Sequence, residues 1–221
     1  VRKWNDTSCT FQKNHFIYRK RIFFRFTAAH NGLPITITCY SGVFSEKYFS
    51  EIRPDLKKCA KRKDFGQGFY LTTSKEQTKS FLKTSIVKAR ANGQISEDQN
   101  YGYISVFEIN LFNQLQTHIF NSADIDWLHC VAAHRKKKLF IEVESEMGKY
   151  DIIAGKIADD ATNATLTAYL AGAFGTAGDK EVDDFCIKQL SPNKLKDHYC
   201  FKTEAAIACL KFVESEKIWL K

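Results

Sequence analysis

Two kinds of apolar spacing divide this chain into predicted strands and helices. Alternation of apolar and polar residues predicts strands, and apolar residues three or four apart predict helices. The predicted strands are 35–40, 69–73, 101–111, 114–120, 150–155, 199–202 and 213–220. The predicted helices are 75–91, a segment from Ser122 to the basic run 135–138, 161–170, 179–190 and 204–212. Ser74 and Thr203 stand where helix caps are expected, and Trp127 is predicted to be core.

The stretch from Ile35 to Thr73 has an unusual arrangement of glycines around two predicted strands. The first strand should stop in a turn at Tyr40-Ser41-Gly42, and Gly66 and Gly68 lead into the second. Glycine permits a positive φ, or a close approach of the backbone to a flat ligand where a Cβ would collide. Tyr70 in the second strand would add an aromatic ring for stacking.

Length and cysteine content limit the architecture and the compartment. The 221 residues are 44% apolar, which suits one domain over 35–221 with an N-terminal extension over 1–34. No long apolar segment or signal peptide is recognisable, so the sequence predicts no membrane association. Seven cysteines without a Cys-x-x-Cys pair indicate reduced thiols, a cytoplasmic setting and no structural metal.

A net charge of +8 favours an anionic partner, although it also serves solubility. That partner could be a pyrophosphate, nucleic acid or an acidic protein. Basic and aromatic residues alternate within 11–26, which is typical either of a docking element with a solvated face or of a single-stranded nucleic-acid site. The connector 43–63 is also basic, and it is read either as solvated or as a site for a pyrophosphate or an anionic acceptor.

The Glu142-Val143-Glu144 sequence lies in a stretch that alternates like a strand. On a strand, residues two apart point to the same face, so the two carboxylates would lie together. This spacing leaves two interpretations, a catalytic carboxylate pair or a solvated strand face.

Several blocks of the chain resemble ADP-ribosyltransferases of the His-Tyr-Glu type. Tyr40-Ser-Gly42 and Phe65-Gly-Gln-Gly-Phe-Tyr70 are similar to the first two motifs of those enzymes. More closely, the chain resembles a family of poorly characterised, mostly bacterial domains related to the transferases. That resemblance extends over about 35–213 and includes the blocks 64–73, 150–160, 188–190 and 195–204, with Trp127 between the first two.

The resemblance implies a fold, a substrate and a site. The implied fold is α+β, with a split β-sheet that forms a cleft and with helices around it. The implied substrate is NAD, bound by Ser41, Gly42, Phe65, Gly66, Gly68, Phe69 and Tyr70. Tyr70 and His198 would be the catalytic residues, and no metal is implied.

Two positions depart from the transferase pattern. Ser41 stands where the family has histidine, and His198 stands where it has glutamate or glutamine. A neutral imidazole exchanges hydrogen bonds but supplies no fixed negative charge for an oxocarbenium-like centre. We therefore expect either an ADP-ribosyltransferase or NAD glycohydrolase with an atypical site, acting as an effector or toxin in its own or a host cytoplasm, or an inactive domain that binds a nucleotide, nucleic acid or protein.

Overall fold

The computed structural model describes residues 36–43, 54–110, 115–158, 160–191 and 195–220. Within these residues the chain is α+β, as predicted, with seven strands and six α-helices. The strands are β1 (Thr36–Val43), β2 (Phe69–Thr72), β3 (Tyr101–Asn110), β4 (Thr117–Ile119), β5 (Ile152–Lys156), β6 (Asp197–Phe201) and β7 (Leu210–Trp219). The helices are α1 (Lys75–Ala91), α2 (Ile125–Arg135), α3 (Ile141–Met147), α4 (Asp160–Ala171), α5 (Lys180–Leu190) and α6 (Glu204–Ala208).

The chain forms two compact units, each built from separated segments. The first unit contains Val1–Pro54, Leu71–Gln114 and Ile207–Lys221, and the second contains Asp55–Tyr70 and Leu115–Ala206. The predicted extension 1–34 and most of the basic connector 43–63 lie outside the described residues.

Antiparallel strands and one long helix make up the described part of the first unit. β1 pairs with β3 along its whole length, from Thr36 opposite Asn110 to Val43 opposite Tyr103. β3 in turn pairs with β7, with an irregularity between Val106 and Phe107. The helix α1 packs on this sheet through a small core, formed by Leu82, Ile86 and Ile104.

The second unit holds the larger core. β4 and β5 are parallel, and β5 and β6 are antiparallel. Trp127 on α2 is fully buried in this core, as predicted, and its indole N–H donates to the carbonyl oxygen of Lys156 at 2.9 Å. Burial of such a large ring is among the strongest contributions one side chain makes to a core.

Three side-chain caps fix the helix starts. Ser74 accepts from the backbone N–H of Gln77 at 3.2 Å, and Asp124 accepts from that of Trp127 at 3.0 Å. Thr203 accepts from the N–H of Ala206, also at 3.2 Å. The caps at Ser74 and Thr203 confirm the predicted starts of α1 and α6, whereas α2 begins at Ile125, three residues after the predicted Ser122.

The predicted turn at Tyr40-Ser41-Gly42 is wrong, because β1 runs on through Val43. Its register with β3 is unbroken at these positions, so the segment continues as a paired strand. Gly42 has a packing role in the strand, since a Cβ there would lie 3.2 Å from Cγ2 of Thr78 on α1. The glycine therefore lets the helix approach the strand.

The predicted strand containing Glu142 and Glu144 is also wrong, because Ile141–Met147 forms the helix α3. Residues two apart on a helix are about 200° apart around its axis, so the two carboxylates do not share a face. Both side chains are exposed. Because the segment is a helix, Glu142 and Glu144 do not form a carboxylate pair on one face of a strand.

The last predicted helix, 204–212, is too long. α6 ends at Ala208, and Leu210, Lys211 and Phe212 already pair with β3. The ladder of a neighbouring strand overrides helical spacing in so short a segment. The terminal strand itself, predicted at 213–220, is confirmed as β7.

None of the described helices is both long and apolar enough to cross a membrane. Within the same ranges, no group of three or more His, Cys, Asp or Glu side chains is arranged to hold a metal ion.

Candidate active site

The glycine loop 64–68 is closed by the tyrosine that follows it. The Tyr70 hydroxyl accepts from the backbone N–H of Phe65 at 2.9 Å and donates to the carbonyl oxygen of Gly66 at 2.8 Å. Burial raises the pKa of Tyr70 well above its ordinary value, so the hydroxyl keeps its proton. Tyr70 therefore fixes the loop, and its ring remains half-buried.

Both loop glycines are required by the fold of the second unit. Gly66 has φ +85°, and a Cβ there would lie 2.5 Å from Cδ2 of His134. A Cβ on Gly68 would lie 2.4 Å from Sγ of Cys200 and 2.8 Å from the carbonyl oxygen of Phe201. The first glycine supplies the left-handed conformation, and the second lets the loop pass close to β6.

His198 on β6 lies beside this loop and is 7% exposed. Its ring meets the edge of the Phe65 ring at a centroid distance of 4.8 Å and the tilted ring of Tyr70 at 5.2 Å. Gly155 is its register partner on β5, where a Cβ would come within 2.9 Å of Phe65. The missing side chain at 155 thus makes room for the ring that supports His198.

Nε2 of His198 is buried and has no hydrogen-bond partner among the described residues. The nearest opposite charge is Oδ2 of Asp64, at 3.7 Å, which is too far for a hydrogen bond. Burial lowers the pKa of His198 to about 4, with Asp64 opposing that shift. The ring is therefore neutral at physiological pH.

Asp64 directs its oxygens elsewhere. Its Oδ1 accepts from Nε and Nη2 of Arg135, at 2.9 and 2.5 Å, and its Oδ2 accepts from the N–H of Ala158 at 3.0 Å. Arg135 also donates to Oδ1 of Asn163. Both carboxylate oxygens are thus engaged within the second unit.

These residues define the chemistry that the site can perform. A neutral imidazole can exchange one hydrogen bond at Nε2 with a ligand, and which nitrogen carries the proton decides its direction. Burial raises the pKa of the nearby Cys200 thiol to about 12, so it is not a thiolate nucleophile. The arrangement suits recognition of a neutral polar group better than nucleophilic attack.

A family model described as "Protein of unknown function (DUF3990)" matches residues 45–212, well over half of the chain. This chain belongs to the DUF3990 family. The match covers Asp64, Tyr70, Arg135 and His198, and it begins after Ser41 and Gly42. No curated protein matches the chain.

The DUF3990 fold brings together three of the predicted site residues, Phe65, Tyr70 and His198. Phe65 is fully buried, so its ring supports His198 from the core side. Phe69, the residue before Tyr70 in β2, is half-buried. Gly66 and Gly68 contribute no side chain to the site. They contribute the backbone conformation of the loop and its close approach to β6.

Ser41 and Gly42 belong to the first unit. Ser41 is half-buried and is in register with Ser105, and Gly42 is in register with Ile104. The side of Gly42 that would bear a Cβ faces α1. Their role in NAD binding, which the resemblance implies, stays a prediction.

Sequence reasoning missed two residues of this DUF3990 site, Asp64 and Arg135. Asp64 stands directly before the glycine loop, and an acid at such a boundary is a weak sign of an anchoring role. Arg135 begins the basic run 135–138, which local sequence explains as cations at the end of a helix. The ion pair between them joins positions 71 apart in the chain, so neither local pattern could predict it.

Proposed function

We propose that this domain is an ADP-ribosyltransferase or NAD glycohydrolase with an atypical site that includes Tyr70 and His198. The observation that supports the proposal most is the contact between those two rings, at 5.2 Å. Tyr70 comes from the second motif of the transferase resemblance, and His198 from the position where that family has glutamate or glutamine. Two motifs that are distant in the chain but adjacent in space are what a shared binding site requires.

Each residue has a role that its surroundings allow. Tyr70, held by its own loop, offers a ring against which a nicotinamide can stack. The unpartnered Nε2 of His198 would exchange a hydrogen bond with a ribose hydroxyl or a carboxamide. A buried polar atom without a partner costs roughly 1–3 kcal/mol, so a ligand that supplies the bond recovers that free energy. The proposal assigns Ser41 and Gly42 on the resemblance alone.

A second candidate is a domain that binds NAD or a related nucleotide without cleaving it. The observation in its favour is electrostatic: His198 is neutral, and both oxygens of Asp64 are engaged. Loss of nicotinamide develops positive charge on the ribose, and a fixed carboxylate is the usual way to stabilise it. The two candidates share the binding step and differ in the chemical step.

The binding step is tested by calorimetry with NAD. Tyr70→Ala should weaken binding about 5- to 30-fold, the effect of about 1–2 kcal/mol from a lost aromatic contact and its burial. Tyr150→Ala is the matched control, because it removes a half-buried ring of the same unit that contacts His118 instead of His198. If wild type binds none of NAD, ADP-ribose and nicotinamide at millimolar concentration, both candidates fail.

The chemical step is tested by nicotinamide release from NAD, followed by chromatography without an added acceptor. We expect slow release by wild type and an increase of roughly 100- to 1000-fold for His198→Glu, the usual range for one transition-state interaction. Burial near Asp64 will raise the pKa of the introduced carboxyl, so the assay should extend from pH 7 to pH 9.

His198→Gln is the control for this assay, because it keeps a hydrogen-bonding side chain and adds no charge. No release by wild type, together with a gain in His198→Glu, supports the binding-only candidate for the natural chain. Fast release by both wild type and His198→Ala would contradict the assignment of His198.

A further inference from the structure

We propose that Asp64 and Arg135 are positioning residues for His198, with Arg135 holding the Asp64 carboxylate away from Nε2 so that this buried atom keeps no internal hydrogen bond that a ligand would have to displace. The inference deepens the proposed function and rests on it for the use to which Nε2 is put. The geometry on which it stands does not depend on the ligand.

The first step is the competition for Asp64. Its Oδ2 lies 3.7 Å from Nε2 of His198, so a small rotation of the carboxylate would bring the two atoms into hydrogen-bond range. Arg135 opposes that rotation, since Nε and Nη2 both bind Oδ1. The N–H of Ala158 holds Oδ2 from its own side. Arg135 and Ala158 therefore hold the Asp64 carboxylate in place, and its Oδ2 stays too far from Nε2 of His198 for a hydrogen bond.

The second step is that this ion pair also sets the position of the aromatic support. Asp64 immediately precedes Phe65, whose backbone N–H donates to the Tyr70 hydroxyl. Phe65 and Tyr70 are the two rings that contact His198. The ion pair of Asp64 with Arg135 thus anchors the start of the glycine loop. The positions of the Phe65 and Tyr70 rings both depend on that anchor.

The third step concerns the charge of His198. The charged or titratable groups around it are Asp64 before the loop, Arg135 at the end of α2, Tyr70 on β2, and Asp197 and Cys200 on its own strand, with Asp197 paired to Lys156 of β5. Asp64 and Asp197 favour the imidazolium, and Arg135 opposes it. Arg135 therefore acts on His198 in two ways, by neutralising Asp64 and by restraining it.

The test is an NMR titration of the His198 ring nitrogens in the full chain without ligand. Arg135→Met should raise the midpoint by about 1 pH unit or more, because the released carboxylate can then bind Nε2. Asp64→Asn should move it the opposite way, below the wild-type value of about 4, because the carboxylate that favours the imidazolium is gone. Arg135→Lys keeps the positive charge but loses the paired Nε and Nη2 hydrogen bonds to Asp64. It should raise the His198 midpoint less than Arg135→Met does.

Lys136→Met is the matched control, since this neighbouring side chain donates to the carbonyl oxygen of Leu170 and should leave the His198 midpoint unchanged. Opposite shifts in Arg135→Met and Asp64→Asn support the proposal. Upward shifts in both, toward the ordinary value of 6.5, would show that the pair only maintains the fold, and no shift in either would likewise overturn it.

If Arg135→Met does not fold, Arg135→Lys and Asp64→Asn still decide by the direction of their shifts. Absence of NAD binding by wild type would remove the proposed function while leaving this result intact, because the titration contains no nucleotide. The two failures are therefore distinguishable.

Discussion

Two buried carboxylates of the second unit, Asp183 and Asp64, each lie near a histidine. Asp183 contacts its histidine directly, and Asp64 does not. Asp183 is 1% exposed; its Oδ2 contacts Nε2 of His129 at 2.6 Å, and its Oδ1 accepts from the Tyr169 hydroxyl and the N–H of Gly178. Asp64 binds Arg135 and Ala158 instead and leaves His198 at 3.7 Å.

The difference separates structure from a candidate site. The Asp183 network ties α2, α4 and α5 to the loop before α5, and both carboxylate oxygens of Asp183 are engaged. A fully satisfied buried network of this kind specifies a fold. The Asp64 cluster contains a buried nitrogen with no hydrogen-bond partner among the described residues, and such an atom calls for an explanation outside packing.

The Asp183 network also accounts for a left-handed residue. Phe140 has φ 52°, a conformation unfavourable for an aromatic residue. Its ring stacks on His129 at 4.0 Å, and a Cβ on Gly178 would approach it to 3.2 Å. The contacts of the network thus hold the residue that precedes α3.

The largest expected effect follows from breaking the satisfied network. Asp183→Ala leaves Tyr169, His129 and the N–H of Gly178 without their shared acceptor, and should lower the free energy of unfolding by about 3–5 kcal/mol. Urea denaturation followed by tryptophan fluorescence measures it, because Trp127, one of the three tryptophans of the chain, is buried in the same unit.

Asp184→Ala is the control for that variant, because the adjacent carboxylate pairs with Lys180 on the helix surface. Its free energy of unfolding should stay near that of wild type. Equal losses in Asp183→Ala and Asp184→Ala would contradict the structural role given to Asp183.

A smaller effect is expected from acid, and it sharpens the contrast at His198. Its pKa in the folded chain is about 4, below the ordinary 6.5. Between these values the unfolded chain binds a proton that the folded chain does not, so the free energy of unfolding falls as the pH falls through this window. Above the window His198 has no such effect. Its share should be about 2 kcal/mol between pH 7 and pH 5.

The matched variant is His198→Phe, which keeps a ring between Phe65 and Tyr70 and removes the titrating group. At pH 7 it should unfold with a free energy equal to wild type or about 1 kcal/mol higher, because a buried unpaired nitrogen is gone. At pH 5 its advantage should grow by the further 2 kcal/mol. Burial also lowers the pKa values of His134 and His118, but these histidines remain in both proteins and cancel. An identical difference at both pH values would show that His198 is not buried in its neutral form.

Local patterns predicted much of the secondary structure. The Ser74 cap and the apolar spacing after it gave a helix at 75–91, and α1 is Lys75–Ala91. The predicted helix at 179–190 differs from α5, Lys180–Leu190, by one residue. Such signals are predictable because a cap or a helical face is decided by residues within four positions of each other.

The predictions that failed depended on neighbours distant in the chain. The local residues predict a turn at Ser41 and Gly42, but both positions pair in register with β3 as part of a continuous strand. The residues around Glu142 and Glu144 alternate as in a strand, but they form the helix α3. That helix follows Phe140, which is left-handed and whose ring stacks on His129. In both places tertiary contacts outweighed a short local pattern.

The sequence by itself determined the glycine loop, the caps at Ser74 and Thr203 and the burial of Trp127, and a resemblance of motifs predicts that Tyr70 and His198 belong to one site. Only the tertiary structure decided the state of that site: that Asp64 is held by Arg135, that Gly155 makes room for Phe65, and that Nε2 of His198 is left unpaired. The physical reason is that a hydrogen bond and a desolvated charge depend on distances of a few tenths of an ångström between residues far apart in the chain, and no local pattern of residue types encodes those distances.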